Sequence, residues 1–176
     1  MLRRALTRRR VGRVWWAAPA LEEALREAQC AYPVETGGLL LGWCTRPGSV
    51  VISRVIGPGP QATHRVTSFT PNAEWQESQL ADAYERAGRR LHYLGDWHTH
   101  PRGTTRLSAI DRATLRRIAD HADARAPHPV MAVLAGGPLW HVAVRQDTGR
   151  RGAPHRLALE VWLPPCPQDS GRDHSR

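Results

Sequence analysis

Two histidines separated by one residue, His98 and His100, are the side chains of this sequence best suited to metal chemistry. In an extended strand, side chains two residues apart point to the same face, about 6–7 Å apart along the strand. Both imidazoles can therefore present a ring nitrogen to one point, while Trp97 and Thr99 face the opposite side. Two neutral imidazoles suit Zn²⁺. Two hydrogen-bonded histidines without a metal are the competing interpretation of this pattern alone.

Asp111 lies where a third ligand could come from, in the first turn of a predicted helix that begins at Ser108. Three protein ligands with an open fourth position are typical of a catalytic zinc site. The same S-x-x-D pattern also predicts a capping box, in which the two side chains bind backbone amides and no metal. The pattern by itself leaves both interpretations open.

Glu35 stands just before two glycines and a continuous apolar run, which predicts a buried strand. A carboxylate beside a metal and its water can take up a proton and then deliver it to a leaving group. Gly37 and Gly38 would let the strand start close beneath such a site without side-chain obstruction. Taken alone, Glu35 could equally be an ordinary glutamate after a helix end.

The combined spacing resembles the JAMM (MPN+) metalloprotease motif, which is Glu, H-x-H, seven residues, Ser, two residues and Asp. Residues 101–107 are the seven and residues 109–110 are the two. The segments E-T-G-G-L-L-L-G and H-T-H-P are similar to the glutamate-bearing and histidine-bearing strands of that family. The similarity extends from about residue 14 to residue 144, which is most of the chain.

The resemblance implies a role for each motif residue. His98, His100 and Asp111 would hold one Zn²⁺ per chain. Glu35 would act as general base and then as general acid, and Ser108 would donate a hydrogen bond to the oxyanion of the substrate. Zinc polarises a carbonyl and lowers the pKa of its water to about 7, so the chemistry fits hydrolysis.

The resemblance is strongest to small bacterial JAB-domain proteins, on the strings G-D-W-H-T-H-P and G-P-G-P followed by T-S-F-x-P. These occur beside ubiquitin-activating-like and ubiquitin-conjugating-like enzymes, some of them in antiphage systems. The implied reaction is cleavage of the amide or isopeptide bond after the C-terminal glycine of a ubiquitin-like protein. Its extended tail would be added as a strand, with contacts expected at residues 62–70.

Two alternatives to this reaction stay open. One is release of an amino acid or small adduct from the tail of a sulfur-carrier-like protein, which needs the same bond cleavage. The other is a non-catalytic MPN scaffold, although all five motif residues are present. A cytidine deaminase is excluded because H-x-E and P-C-x-x-C are absent.

Three further expectations concern residues outside the motif. Asp96 shares the strand face of the histidines and would either orient a metal ligand or be a surface carboxylate. Residues 57–71 are predicted to form a loop from their Gly and Pro content. The remaining histidines show no pairing and are assigned no site: His64, His92, His121, His128, His141, His155 and His174.

The elements that must position the motif predict an α/β (α+β) domain of MPN/JAB type with a cytidine-deaminase-like layout. We expect one mixed sheet of about six strands flanked by about three helices, the helices covering residues 19–32, 72–90 and 108–124. This domain would span residues 14–163. Residues 164–176 are rich in Pro, Asp, Ser, Gly and Arg and are predicted to be a disordered tail.

Composition restricts the partners and the compartment. The formal net charge is +9, and all 25 basic residues are arginine. Because no nucleic-acid motif accompanies this charge, we expect a solvated basic surface and a frayed basic extension at residues 1–13 rather than a nucleic-acid partner. No secretory signal or transmembrane run is present, and three scattered cysteines favour a reducing, cytoplasmic setting without membrane attachment.

Overall fold

The computed structural model describes residues 12–45, 49–149 and 152–164. Residues 1–11 and 165–176 lie outside these ranges, and they include nearly all of the predicted basic extension and of the predicted tail. Among the described residues, no helix has the length and apolarity needed to cross a membrane.

The chain forms three α-helices, one short 3₁₀ helix and ten strands in the described ranges. The helices are α1 (Ala18–Ala31), α2 (Ala73–Arg86), α3 (Ala109–Asp120) and the 3₁₀ helix Ala122–Ala124. The strands are β1 (Arg13–Ala17), β2 (Gly37–Thr45), β3 (Ser49–Ile56), β4 (Thr63–Arg65), β5 (Ser68–Thr70), β6 (His92–Pro101), β7 (Val130–Gly136), β8 (Trp140–Gln146), β9 (His155–Arg156) and β10 (Ala158–Trp162).

Eight of these strands form one mixed sheet in the order β10-β1-β3-β2-β6-β7-β8-β9. Strand β6, which carries the two histidines, lies inside the sheet, antiparallel to β2 and parallel to β7. Both of its edges are therefore occupied, which restricts the backbone of the H-x-H segment. The predicted α+β class, with three α-helices and a mixed sheet, is confirmed.

Two features contribute to a strand count above the predicted six. The predicted loop at residues 57–71 contains a second, two-stranded sheet, the hairpin β4–β5, closed by a two-residue turn. The apolar run at residues 156–163 predicts one last strand, but the structure divides this stretch, because β9 pairs with β8 while β10 pairs with β1 at the opposite edge of the main sheet. Leu157 lies between them, 3% exposed, and its N–H donates to the Val144 carbonyl.

Helix α1 packs on the main sheet through small side chains. Ala20, Ala24 and Ala28 recur every four residues and are 4%, 0% and 0% exposed. This spacing places them on one face of the helix, and their size allows close approach to the sheet. Two tryptophans, Trp16 and Trp97, supply the largest fully buried side chains of the same core.

Two helices end earlier than predicted. Helix α2 begins after Asn72, whose side chain accepts from the Trp75 N–H, and ends at Arg86 rather than residue 90. Gly88 and Arg89 both adopt positive φ angles, which a right-handed helix does not allow. Helix α3 ends at Asp120, and a 3₁₀ turn covers part of the remaining predicted helix.

Gly38 is required by the packing of β2 between its two neighbours. A Cβ atom built there would overlap the carbonyl of Ile56, which is a backbone group that cannot turn away. We expect Gly38→Ala to lower the free energy of unfolding by about 3 kcal/mol, measured by chemical denaturation. Gly57→Ala is the matched control, since nothing lies within 4 Å of its Cβ position. Equal stability of the two variants would contradict this packing argument.

Candidate metal centre

The two histidines of β6 face one side of the sheet, and the residues that alternate with them are buried on the other. Trp97 and Thr99 are both 0% exposed. The imidazoles of His98 and His100 stand next to each other, with their Nε2 atoms 3.0 Å apart. Strand periodicity thus brings the predicted pair of ring nitrogens together.

Asp111 reaches this pair from the first turn of α3. Its Oδ1 lies 3.4 Å from Nε2 of His98, and its Oδ2 lies 3.5 Å from Nε2 of His100. The three residues form a group of potential ligands whose donor atoms all lie within 4.8 Å of one another. Sequence analysis predicted this group, and the fold assembles it from a strand and a helix.

The dimensions of this group suit a tetrahedral ion. Ligand bonds of about 2.0–2.1 Å at tetrahedral angles place neighbouring donor atoms about 3.3 Å apart. The two Nε2 atoms are 3.0 Å apart, and Asp111 brings one oxygen to 3.4 Å from His98 (Oδ1) and the other to 3.5 Å from His100 (Oδ2), which are distances around that value. Nδ1 of His100 lies 2.9 Å from the Thr104 carbonyl, which can only accept, so Nδ1 carries the proton. In the neutral ring, Nε2 then presents its lone pair to the group, as in metal-binding histidines.

The capping box and the metal group, which compete in the sequence, coexist in the structure. The Asp111 N–H donates to Oγ of Ser108 at 3.1 Å, and the Ser108 N–H donates to Oδ2 of Asp111 at 2.6 Å. Among the described residues, Oδ1 of Asp111 accepts from no backbone amide. Oδ2 thus caps the helix and also lies 3.5 Å from Nε2 of His100, while Oδ1 faces His98.

Asp111 and His100 shift each other's pKa. Burial raises the pKa of Asp111, but hydrogen bonds from His100 and His98 outweigh burial and hold the pKa well below its usual value. The pKa of His100 is raised, mainly by its hydrogen bond to Asp111 and against the effect of burial. The Asp111 carboxylate therefore stabilises a positive charge beside it, as a metal site requires.

Glu35 lies in the same cavity as the three potential ligands. The cavity has a volume of about 560 Å³, and its wall includes all five motif residues: Glu35, His98, His100, Ser108 and Asp111. Burial raises the pKa of Glu35, while the nearby charges of His100 and His98 oppose the rise. A raised pKa suits a carboxyl group that must both accept and release a proton.

The hairpin β4–β5 contributes to the wall of this cavity, and it lies within residues 62–70, the segment predicted to contact a substrate tail. Thr67, Ser68 and Phe69 all line the cavity. Phe69 is also one reason for a glycine at position 37, because a Cβ atom on Gly37 would collide with the Phe69 ring. Ile110 of α3 also lines the cavity, and its side chain is 78% exposed.

Asp96 is not a surface carboxylate. It lines the inner part of the cavity, and its Oδ1 accepts from the Tyr93 hydroxyl at 2.6 Å. Burial raises its pKa, against the lowering effects of Tyr93, His98 and Arg117. The structure gives it no hydrogen bond to a histidine of the group, so it lies behind the site without orienting a ligand directly.

His64 was assigned no site in the sequence, yet its Nδ1 lies 2.9 Å from the Glu35 carbonyl. The two residues are 29 positions apart, and the contact exists only because the hairpin folds over the start of β2. No spacing or composition signal in the sequence indicates it.

Comparison with known proteins decides the family. The family described as prokaryotic homologs of the JAB domain matches residues 17–151. The chain belongs to this JAB-domain family. A protein named probable metalloprotease y4qB, from Sinorhizobium fredii (strain NBRC 101917 / NGR234), is 38% identical over 141 residues, covering 78% of this chain and 86% of that protein.

One further relative and one solved structure are also similar to this chain. A protein named CD-NTase/cGAS isopeptidase, from Enterobacter hormaechei subsp. hoffmannii (strain UCI 50), is 28% identical over 144 residues, covering 80% of this chain and 78% of that protein. The solution structure of protein DSY2949 from Desulfitobacterium hafniense has the same fold, with a TM-score of 0.65, 19% identity and coverage of 86% and 94% of the two chains. The predicted JAMM-type hydrolase class is confirmed by the family and its named members.

The capping function of Ser108 can be separated from any catalytic function. In chelator-treated protein, we expect Ser108→Ala to lower the free energy of unfolding by about 1 kcal/mol, because the Asp111 amide loses its acceptor. Ser108→Asn keeps a good cap and should retain most of this stability. Chemical denaturation of the three proteins measures the difference. Equal loss in both variants would show that the cap is not what Ser108 contributes.

Proposed function

We propose that this JAB-domain protein is a zinc-dependent peptidase that cleaves the amide or isopeptide bond after the C-terminal glycine of a ubiquitin-like protein. The observation that carries the proposal is one cavity holding a three-donor metal group and a separate carboxylate, Glu35. A scaffold would need neither. The relative named an isopeptidase supports a protein conjugate as the substrate class.

The residues divide the work of hydrolysis between them. His98, His100 and Asp111 would hold the ion, which when bound supplies Lewis acidity towards a carbonyl oxygen and lowers the pKa of a water. Glu35 takes a proton from the attacking water and delivers it to the leaving amine. The Ser108 hydroxyl donates a hydrogen bond to the developing oxyanion. It is free to donate because its Oγ accepts the hydrogen bond from the Asp111 amide. Such a donor is worth about 3 kcal/mol in typical cases.

The walls of the cavity suit an extended, narrow substrate segment. The hairpin β4–β5 and the start of α3 both line the cavity, and each contributes an apolar side chain, Phe69 and Ile110. A chain that ends in glycine can enter such a space without side-chain obstruction, and a strand-like tail can add backbone hydrogen bonds at the hairpin. The setting that we propose is the cytoplasm, beside activating-like and conjugating-like enzymes in an antiphage system, as the resemblance to small bacterial JAB-domain proteins implies.

Metal content provides the first test. We expect one zinc ion per chain, retained on gel filtration and removed by chelation, because three donors converge at tetrahedral spacing. Asp111→Ala and His98→Ala should each lose stoichiometric zinc in elemental analysis. His121→Ala is the matched control, since that exposed histidine ends α3 away from the group. A wild-type chain that fails to bind zinc after reloading would contradict the proposal.

Catalysis provides the second test. The probe is a ubiquitin-like domain ending in glycine, joined either to a short reporter peptide or to a lysine ε-amine. We expect cleavage directly after the glycine, and Glu35→Gln should reduce kcat by about 10²- to 10⁴-fold while zinc stays bound. The pKa of Glu35 is raised from 4.5, so kcat/KM should fall as the pH decreases through a value above 4.5.

Glu22→Gln, an exposed change on α1, is the control for this experiment and should leave kcat unaltered. Cleavage by Glu35→Gln at the wild-type rate, with zinc bound in both proteins, would show that another group moves the proton. Cleavage that does not depend on the terminal glycine would contradict the substrate class.

A further inference from the structure

The peptide unit between Glu35 and Thr36 is held at both of its polar ends. The Glu35 carbonyl lies 2.9 Å from Nδ1 of His64. Because a carbonyl oxygen only accepts, Nδ1 of His64 carries the proton and donates it. At the other end, the Thr36 N–H donates to Oγ1 of Thr99 at 2.9 Å. A planar peptide gripped at its oxygen and at its nitrogen has a fixed orientation.

The two grips come from different parts of the molecule. Thr99 lies between the two histidines of β6, and its own N–H donates to the Thr36 carbonyl at 2.8 Å. Thr36 and Thr99 are both 0% exposed, so this grip is part of the buried sheet. His64 lies in β4 and is half-buried, and the neighbouring Arg65 carbonyl accepts from the Glu35 N–H at 2.7 Å. The hairpin thus holds both peptide units that flank Glu35.

We propose that His64 is a positioning residue for Glu35, because it fixes the peptide plane that directs the Glu35 side chain into the metal cavity. This inference rests on the proposed function, in which Glu35 moves the proton. The orientation of that plane sets the ψ angle of Glu35, and the direction of its Cα–Cβ bond follows the backbone. A displacement of about 1 Å in a catalytic group can cost up to about 100-fold in rate, so the missing donor should affect catalysis.

The test compares two substitutions of nearly equal shape. His64→Leu removes the donor, whereas His64→Asn places an amide N–H where Nδ1 stood. With the zinc-loaded full chain and the glycine-ended fusion, we expect His64→Leu to lower kcat about tenfold. KM and zinc content should stay close to wild type, and His64→Asn should recover most of kcat. A residue that only supported the fold would show no such rescue by a donor.

A second readout is independent of activity. In metal-free protein, hydrogen exchange at the Glu35 amide is followed by NMR. We expect it to be about tenfold faster in His64→Leu than in wild type, because the hairpin loses one of its two hydrogen bonds to Glu35. His64→Asn should again return towards wild type. The Trp97 amide, in the middle of β6, is the internal control and should be unaffected.

The outcomes separate the two proposals. Wild-type kcat in His64→Leu, or unchanged exchange at Glu35, would overturn the positioning role. A higher KM at unaltered kcat would also overturn it, and would make His64 a contact for the substrate. A zinc-loaded wild type that does not cleave the fusion would instead contradict the proposed function, and the exchange experiment would still decide whether His64 holds Glu35.

Discussion

The antiparallel register between β2 and β6 is the constraint on which the site depends. Gly37 lies opposite His98, and the next step of the same register pairs Thr36 with Thr99. Continuing it by one residue brings Glu35 alongside His100. A slip of one residue would turn the histidines towards the core and Trp97 towards the cavity. The burial of Trp97 and Thr99 therefore stabilises the register that positions the candidate site, in addition to stabilising the core.

Asp111 adds the second constraint, because its carboxylate belongs to a helix cap and to the metal group together. A carboxylate in the first turn interacts favourably with the amides and the dipole at the helix N-terminus, so the fold gains from it before any ion binds. The same interaction fixes the side chain so that Oδ1 faces His98 and Oδ2 lies near His100. The sequence presented cap and ligand as rivals, since each is complete by itself, yet a carboxylate has two oxygens and serves both.

Local regularities explain what the sequence predicted well. The period of two in β6 and the S-x-x-D pattern of α3 each depend on neighbours within four residues, and both were recovered. The hairpin β4–β5 was missed because its strands have three residues each and follow a Gly- and Pro-rich stretch. The division between β9 and β10 was missed because a single apolar run does not reveal that its two halves pair with opposite edges of a sheet. His64 was missed for a related reason, as its partner is a backbone carbonyl 29 residues away.

The elements that carry the potential metal ligands differ in exposure from the surface around them, and this difference affects how such a domain binds a partner. The potential metal ligands stand on an interior strand and a capped helix, where two-sided pairing and the capping box fix the side chains. The neighbouring surface is different: Val66, at the turn of the hairpin, is 66% exposed, and Ile110, which lines the cavity, is 78% exposed. Changes at these two positions would alter the surface offered to a substrate without altering the register that sets the chemistry. Glu35 lies between these two kinds of element. Thr99 of the buried sheet and His64 of the hairpin both bind the peptide unit that follows Glu35, so one peptide plane connects the hairpin wall of the cavity to the carboxylate for which we propose proton transfer.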